Sequence, residues 1–272
     1  MSPLHNFPRQ PTQFWGRKEE LADIVRLISD PNCQLLTLAG FGGCGKTRLA
    51  TEVAERKNTD FPDDVFFVPL SPLTGSEQII LQIGYVLAYQ FAEEREHVEQ
   101  LVDYLSNKCM LLVLDNFDHL LDGADVLIPL LAGAPQLKLL VTSREPLELD
   151  DEWHRHIGGL DYPRKDTETE IEHYSTVQLF LDHARRVRAD FSLTRERLYI
   201  IRICRMVEGH PLAIELAAAW LKRLSCADIC TEIERGIDFL ETNKRDVPPR
   251  QRSIRAVFDS TWQQLDDAER SL

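Results

Sequence analysis

Gly40, Gly45, Lys46 and Thr47 stand in the pattern Gly, four residues, Gly-Lys-Thr, the most definite chemistry in the chain. The full run is G-F-G-G-C-G-K-T over 40–47, with Gly42, Gly43 and Cys44 inside the turn. Glycines let a backbone curl until successive N–H groups point to one side and gather an anion. An apolar run of strand length, C-Q-L-L-T-L-A (33–39), precedes the turn, and R-L-A-T-E-V-A-E-R (48–56) follows it with helical spacing. Strand, glycine turn and helix start together form a cradle for nucleotide phosphates. The helix start adds unpaired N–H groups and the positive end of its dipole. Lys46 then reaches the terminal phosphates, the Thr47 hydroxyl ligates Mg²⁺, and Arg48 joins the contact set from the first helical turn. Cys44 carries two readings: a thiol whose modification blocks nucleotide entry, or a buried and inert one.

Two carboxylates and a guanidinium can complete this chemistry. M-L-L-V-L-D (110–115) is an apolar strand that ends in Asp115, where a carboxylate can hold Mg²⁺ through water beside Thr47. The next residues are Asn116, Phe117 and Asp118. Asp118 is the stronger candidate to polarise a water for attack on the γ-phosphate, and Asn116 the weaker. A helix N-cap is the competing reading for both aspartates. Thr142-Ser143-Arg144 closes another strand and puts Arg144 where it can sense or neutralise the γ-phosphate. An ordinary surface salt bridge is the alternative there.

These residues need elements to hold them. Leu21, Ile24, Val25 and Ile28 predict a helix over about 18–29. Runs at 64–70, 110–115, 137–144 and 153–157 read as strands, with two helical patterns within 76–106 and a crossover helix over 119–131. Alternating strands and helices predict an α/β fold with a parallel sheet covered on both faces, whose ligands bind beyond the carboxyl ends of the strands. A polar connector at 161–170 leads into an all-α unit with helices over 175–188, 196–207, 211–221 and 227–235. Within it, Gly209-His210-Pro211 alone is only a capping device, and His210 alone a weak ligand. The pattern over 251–272 stops without a cap, so the sequence reads as a piece of a longer protein.

Composition narrows the function classes. The chain has 272 residues, 31 Lys plus Arg against 44 Asp plus Glu, and a net charge of −13. That balance argues against a large nucleic-acid surface. No apolar run is long enough to cross a bilayer and no signal peptide opens the chain, which leaves a cytoplasmic protein as the expectation. The six cysteines are scattered in apolar contexts, as reduced thiols are. Cys226 and Cys230 read as packing residues.

The motifs together resemble the STAND class of P-loop NTPases, in its NB-ARC-like branch, which includes plant resistance proteins, the apoptosome ATPase and bacterial regulators. Phe14-Trp15-Gly16-Arg17, with Glu20 closing it, resembles the family's N-terminal motif. That likeness implies that Phe14, Trp15 and Arg17 lie along the adenine and ribose. L-L-V-L-D-N-F-D is similar to the bacterial Walker B, V-T-S-R to the sensor-1 strand, and E-G-H-P-L-A-I-E-L-A-A-A to the G-x-P motif, whose proline, here Pro211, touches adenine. R-Q-R-S-I-R-A-V-F-D-S resembles the opening of a winged-helix domain. Asp118 stands where bacterial relatives often carry Glu, and His210 where small or aliphatic residues are common.

The resemblance implies a nucleotide domain over 1–160, a helical domain over 161–247 and the start of a winged helix over 248–272. It also implies a regulatory switch that binds ATP or ADP with Mg²⁺ and hydrolyses ATP slowly. ADP would hold it closed; exchange for ATP would open it and let it form a homo-oligomer. Winged-helix and sensor domains of a parent protein would be its further partners, with no nucleic acid or membrane bound by this stretch. A stand-alone ATPase of the AAA+ type is the alternative, which needs a second arginine sensor where the G-x-P step stands. A scaffold that holds nucleotide without turnover is a third reading.

Overall fold

A computed structural model describes residues 6–8, 12–241 and 252–255, divided between two compact units. The first holds the described residues of Met1–Phe14, Lys18–Gly40 and Lys46–Ile157. The second holds Trp15–Arg17, Phe41–Gly45 and the described residues of Gly158–Leu272. The tip of the glycine loop is therefore counted with the second unit, while the residues on either side of it are counted with the first.

In the first unit the strands are β1 (Leu35–Ala39), β2 (Val65–Pro69), β3 (Leu111–Asp115), β4 (Lys138–Ser143) and β5 (Glu152–His156). They form one parallel sheet in the order β2-β3-β4-β1-β5. Every residue of β1 and β3 is buried, which explains why these strands read as unbroken Leu and Val runs rather than as alternations. Among the described residues β5 pairs with β1 alone and is half exposed, so its sequence, E-W-H-R-H, tolerates charge. The register aligns the carboxyl ends: Ala39 faces Ser143 and His156, and Asp115 faces Pro69 and Thr142. Loops leaving this one edge can share a ligand.

Helices cover the sheet. In α1 (Lys18–Ser29) the buried face is Leu21, Ile24, Leu27 and Ile28; three of these are in the stripe that the spacing predicts, while Leu27 takes the place expected for Val25, which is half-buried. Glu19 and Glu20 sit in the first turn, where the helix dipole favours acids. In α2 (Lys46–Lys57) Leu49, Ala50, Val53 and Ala54 are buried. α3 (Ile79–Val86) and α4 (His97–Leu105) divide the 76–106 stretch in two, as its pattern predicts. The predicted single crossover helix over 119–131 is not what forms. A 3₁₀ stretch runs over Leu121–Leu127, bent where Gly123 leaves helical geometry, and α5 (Ile128–Gly133) follows with Pro129 in its first turn. Glycine loses more entropy than other residues in a helix, and a proline is accepted only at a helix start, so the sequence restarts instead of continuing.

The second unit contains α6 (Ser175–Val187), α7 (Leu193–Met206), α8 (Pro211–Ala219) and α9 (Cys226–Arg235). Its core is built from Phe180, Ile200, Ile201, Ile214, Ala217 and Ile229, among others. α9 begins at a reciprocal cap between Ser225 and Asp228. Cys204, Cys226 and Cys230 are buried free thiols, and burial pushes Cys204 up to about 12 and Cys230 up to about 11. They pack and stay protonated. Apart from Arg252–Arg255, the stretch expected to open a winged helix, 248–272, lies outside the described residues. Among the described residues no helix is long and apolar enough to cross a membrane.

Candidate functional site

In the first unit, four elements meet at the carboxyl edge of the sheet. α2 begins at Lys46, so Thr47 lies in its first turn, directly after the glycine loop. The Thr47 hydroxyl donates to Asp115 Oδ1 at 2.6 Å. The Thr142 hydroxyl, on the neighbouring strand, donates to the same oxygen at 2.8 Å and accepts the Asn116 N–H at 2.9 Å. Asp115 is 4% exposed, and the two hydroxyls fix its carboxylate. A hydroxyl and a carboxylate in contact are hard oxygen donors of the kind Mg²⁺ prefers. Thr47 and Asp115 therefore suit the ion that the resemblance implies. Lys46 Nζ donates to the Gly40 carbonyl at 2.5 Å, which ties the far end of the loop to the start of the helix.

Asn116 lies at φ 69, a left-handed conformation that Asn tolerates better than most residues. The chain thereby turns off β3, buries Phe117 completely and donates the Phe117 N–H to the Thr142 carbonyl. This turn delivers Asp118 to Arg144. Asp118 Oδ1 accepts the Arg144 backbone N–H at 2.6 Å, and Oδ2 lies 3.5 Å from the Arg144 Nε. The Arg144 carbonyl in turn accepts the Gly40 N–H at 3.0 Å. The N-cap reading of Asp118 does not describe this geometry, since no helix starts at 119. The salt-bridge reading of Arg144 does, but its partner is the candidate acid and both side chains are largely buried. Asp118 and Arg144 thus form one paired unit beside the loop.

In the second unit, side chains grip the backbone of the loop tip. Arg17 is 7% exposed, and its guanidinium donates to the carbonyls of Cys44 and Gly158, both at 2.7 Å. It follows Gly16 through two left-handed residues, φ 71 and φ 54; a side chain at Gly16 would strike Ser175. Cys44 is fully buried. His210 caps α8: its Nδ1 accepts the Ala213 N–H at 3.3 Å, and its Nε2 lies 3.0 Å from the Gly42 carbonyl. The Phe41 ring lies against the His210 ring at 5.0 Å between centroids. Gly43, at φ 75, passes so close that a Cβ there would lie 2.7 Å from His210 Cε1. Burial lowers the His210 pKa. Gly45, at φ 97, faces open space, so its conformation alone requires glycine.

The remaining candidates are placed as follows. Pro211 is the first residue of α8 and half-buried. Trp15 packs against the helical core, and Phe14 is half-buried in the first unit. The Arg48 guanidinium donates to the Thr12 carbonyl. Two residues were missed by motif reading. Thr142 becomes visible only when the register sets it opposite Asp115. The signal for His210 was its unusual side chain in a G-x-P step.

Comparison with known proteins gives a consistent picture. Residues 17–147 match the NB-ARC domain model. A Mycobacterium bovis protein named as an HTH-type transcriptional regulator is 32% identical over 241 residues, covering 88% of this chain and 26% of its own length. An uncharacterized protein of the same organism is 34% identical over 231 residues, covering 84% of this chain and 56% of its own length. The chain therefore spans about a quarter of the first relative and about half of the second. In fold it is similar to the Signal Transduction ATPase with Numerous Domains (STAND) protein of Pyrococcus horikoshii that carries a tetratricopeptide repeat sensor. The TM-score is 0.50 at 18% identity, over 96% of this chain and 34% of that one.

Proposed function

We propose that this chain, a P-loop NTPase of the NB-ARC-like branch of the STAND class, is the adenine-nucleotide switch of a larger regulatory protein. The observation that carries the reading is the Thr47–Asp115 contact at the foot of the glycine loop, 2.6 Å long and backed by Thr142. It supplies two adjacent oxygen donors for Mg²⁺ in the first turn of α2, directly after the glycine loop in sequence, as a nucleoside triphosphate site requires.

In this reading Lys46 leaves the Gly40 carbonyl for the β- and γ-phosphates, and the loop N–H groups take the phosphate oxygens. Mg²⁺, when bound, neutralises phosphate charge. Asp118 orients the attacking water, and Arg144 balances charge on the γ-phosphate. Both must reorient from each other to do so, which makes turnover slow and suits a timer better than a motor. A nucleotide biases a switch only when its contacts differ between the states. ADP holds the resting state; ATP releases it and permits self-association. The longer relatives support a parent protein with additional domains, through which a signal enters and an output leaves.

The test is to assay nucleotide retained in purified protein beside steady-state ATP turnover. Retained ADP and turnover well below one per second, slowed further in Asp118→Ala, is the expected result. Fast basal turnover points instead to a working ATPase, and absence of nucleotide binding removes the proposal.

A further inference from the structure

His210 stands between a helix and a loop, and its two ring nitrogens do different work. Nδ1 accepts the Ala213 N–H, which leaves it without a proton. The proton of the neutral ring is then on Nε2, 3.0 Å from the Gly42 carbonyl, to which it donates. One neutral tautomer satisfies both contacts, and an imidazolium cannot, because a protonated Nδ1 would face the N–H of Ala213 and the positive end of α8. Burial lowers the pKa and favours the same neutral ring. The groups against it are the Gly42 carbonyl, the Ala213 N–H and the Phe41 ring.

The Gly42 carbonyl shares a peptide plane with the Gly43 N–H. A trans peptide points its C=O and its N–H to opposite sides. None of the chain's peptide bonds described here is cis. Holding the carbonyl on His210 therefore turns the Gly43 N–H away from the helix. A glycine pair without that anchor is free to flip its peptide plane, and Gly43 at φ 75 has no side chain to resist. On the side facing α8 the backbone passes close, since any Cβ at 43 would collide with His210 and Leu212.

We infer that His210 is a positioning residue of the phosphate loop, which holds the Gly42 carbonyl so that the Gly43 N–H is preset as a donor to a nucleotide phosphate. This rests on the nucleotide-binding reading above. It gives the middle residue of the Gly209-His210-Pro211 step a role separate from capping α8 and separate from any contact of Pro211.

The His210→Asn variant separates the two roles. Asparagine is a good N-cap and keeps the Ala213 contact, but its amide is too short to reach Gly42 as well. Calorimetry with ADP, melting of the nucleotide-free protein and ¹⁵N side-chain NMR of the wild type are the readouts. The expected result is roughly tenfold weaker ADP binding in His210→Asn, as for one lost hydrogen bond, with the melting temperature held within about 2 °C. The wild-type ring is expected as the neutral Nε2–H tautomer at pH 7.5, with its resonance shifted by ADP. Unchanged ADP affinity in His210→Asn overturns the inference. So does equal loss of affinity and melting temperature, which marks a merely structural cap, and so does an Nδ1–H tautomer. Lys46→Ala is the control: if it too binds ADP as the wild type does, the nucleotide reading fails; if it alone loses binding, only the role of His210 fails.

Discussion

The sheet edge of the first unit and the loop tip of the second are held by different kinds of contact. At the sheet edge, side chains hold side chains: Thr47 and Thr142 on Asp115, and Asp118 facing Arg144. At the loop tip, side chains hold backbone: Arg17 on the carbonyls of Cys44 and Gly158, and His210 on that of Gly42. The first arrangement fixes the groups proposed to do the chemistry. The second fixes the backbone shape of the loop through its carbonyls. A substitution at the edge should therefore change what the site does, whereas one at the tip should change how well formed the site is.

The largest expected effect tests the edge. Lys46→Ala should weaken ATP and ADP binding about a hundredfold, because charged hydrogen bonds to phosphate are each worth roughly 3 kcal/mol at most. Titration calorimetry that finds wild-type affinity would remove Lys46 from the site. Next, the two aspartates should part. Asp115→Ala should abolish the Mg²⁺ dependence of ATP affinity, about a tenfold effect, while Asp118→Ala should spare affinity and slow turnover. Identical behaviour in both assays would erase the distinction drawn between them.

At the loop tip, the Arg17 fork should show its effect in stability. Arg17→Lys offers one ammonium where a planar fork served two carbonyls, so the melting temperature should fall by about 4 °C. A scan showing no change would mean that the fork is not needed. ADP should also slow hydrogen exchange in 205–215, the stretch that contains His210 and Pro211; equal exchange with and without ADP would leave the helical unit outside the proposed switch.

The smallest effect is one of pH. The folded pKa of His210 lies below its ordinary value of 6.5, so the unfolded chain takes up the proton first. Its stabilising contribution is complete above pH 6.5 and is lost as the pH falls below that value toward the folded-state pKa. Melting curves of wild type and His210→Leu should therefore differ more at pH 7.5 than at pH 5.5. A constant difference would mean that the proton has no part in holding the tip.

Most of the sheet edge was legible in the sequence, because the loop motif and the Asp115 strand end are local signals: a few adjacent residues carry both the type and the position. The parallel sheet followed from alternating apolar runs for the same reason. The Asp118–Arg144 pair was not legible, since it depends on a left-handed Asn116 and on which strand lies beside β3. The broken crossover at Gly123 and Pro129 was visible letter by letter but was overridden by the leucine periodicity around it. Arg17 and His210 were hardest. Any backbone carbonyl can accept a hydrogen bond, so no partner residue type announces the contact.

The order of the strands also sets when the site can exist during synthesis. β1 leads directly into the loop, yet its two neighbours are β4 and β5, the last strands of this sheet in chain order. Leu35 must wait for Leu139 on one side and Glu152 on the other. Pairings this distant in sequence are slow to close and come late. A nascent chain that has completed the whole 40–47 motif still lacks the framework that presents it, and Asp115 and Thr142 emerge in the interval. A ribosome-bound chain stopped before β4 should therefore be blind to nucleotide, and the capacity to sense it should arrive in one step as the sheet closes around its own first strand.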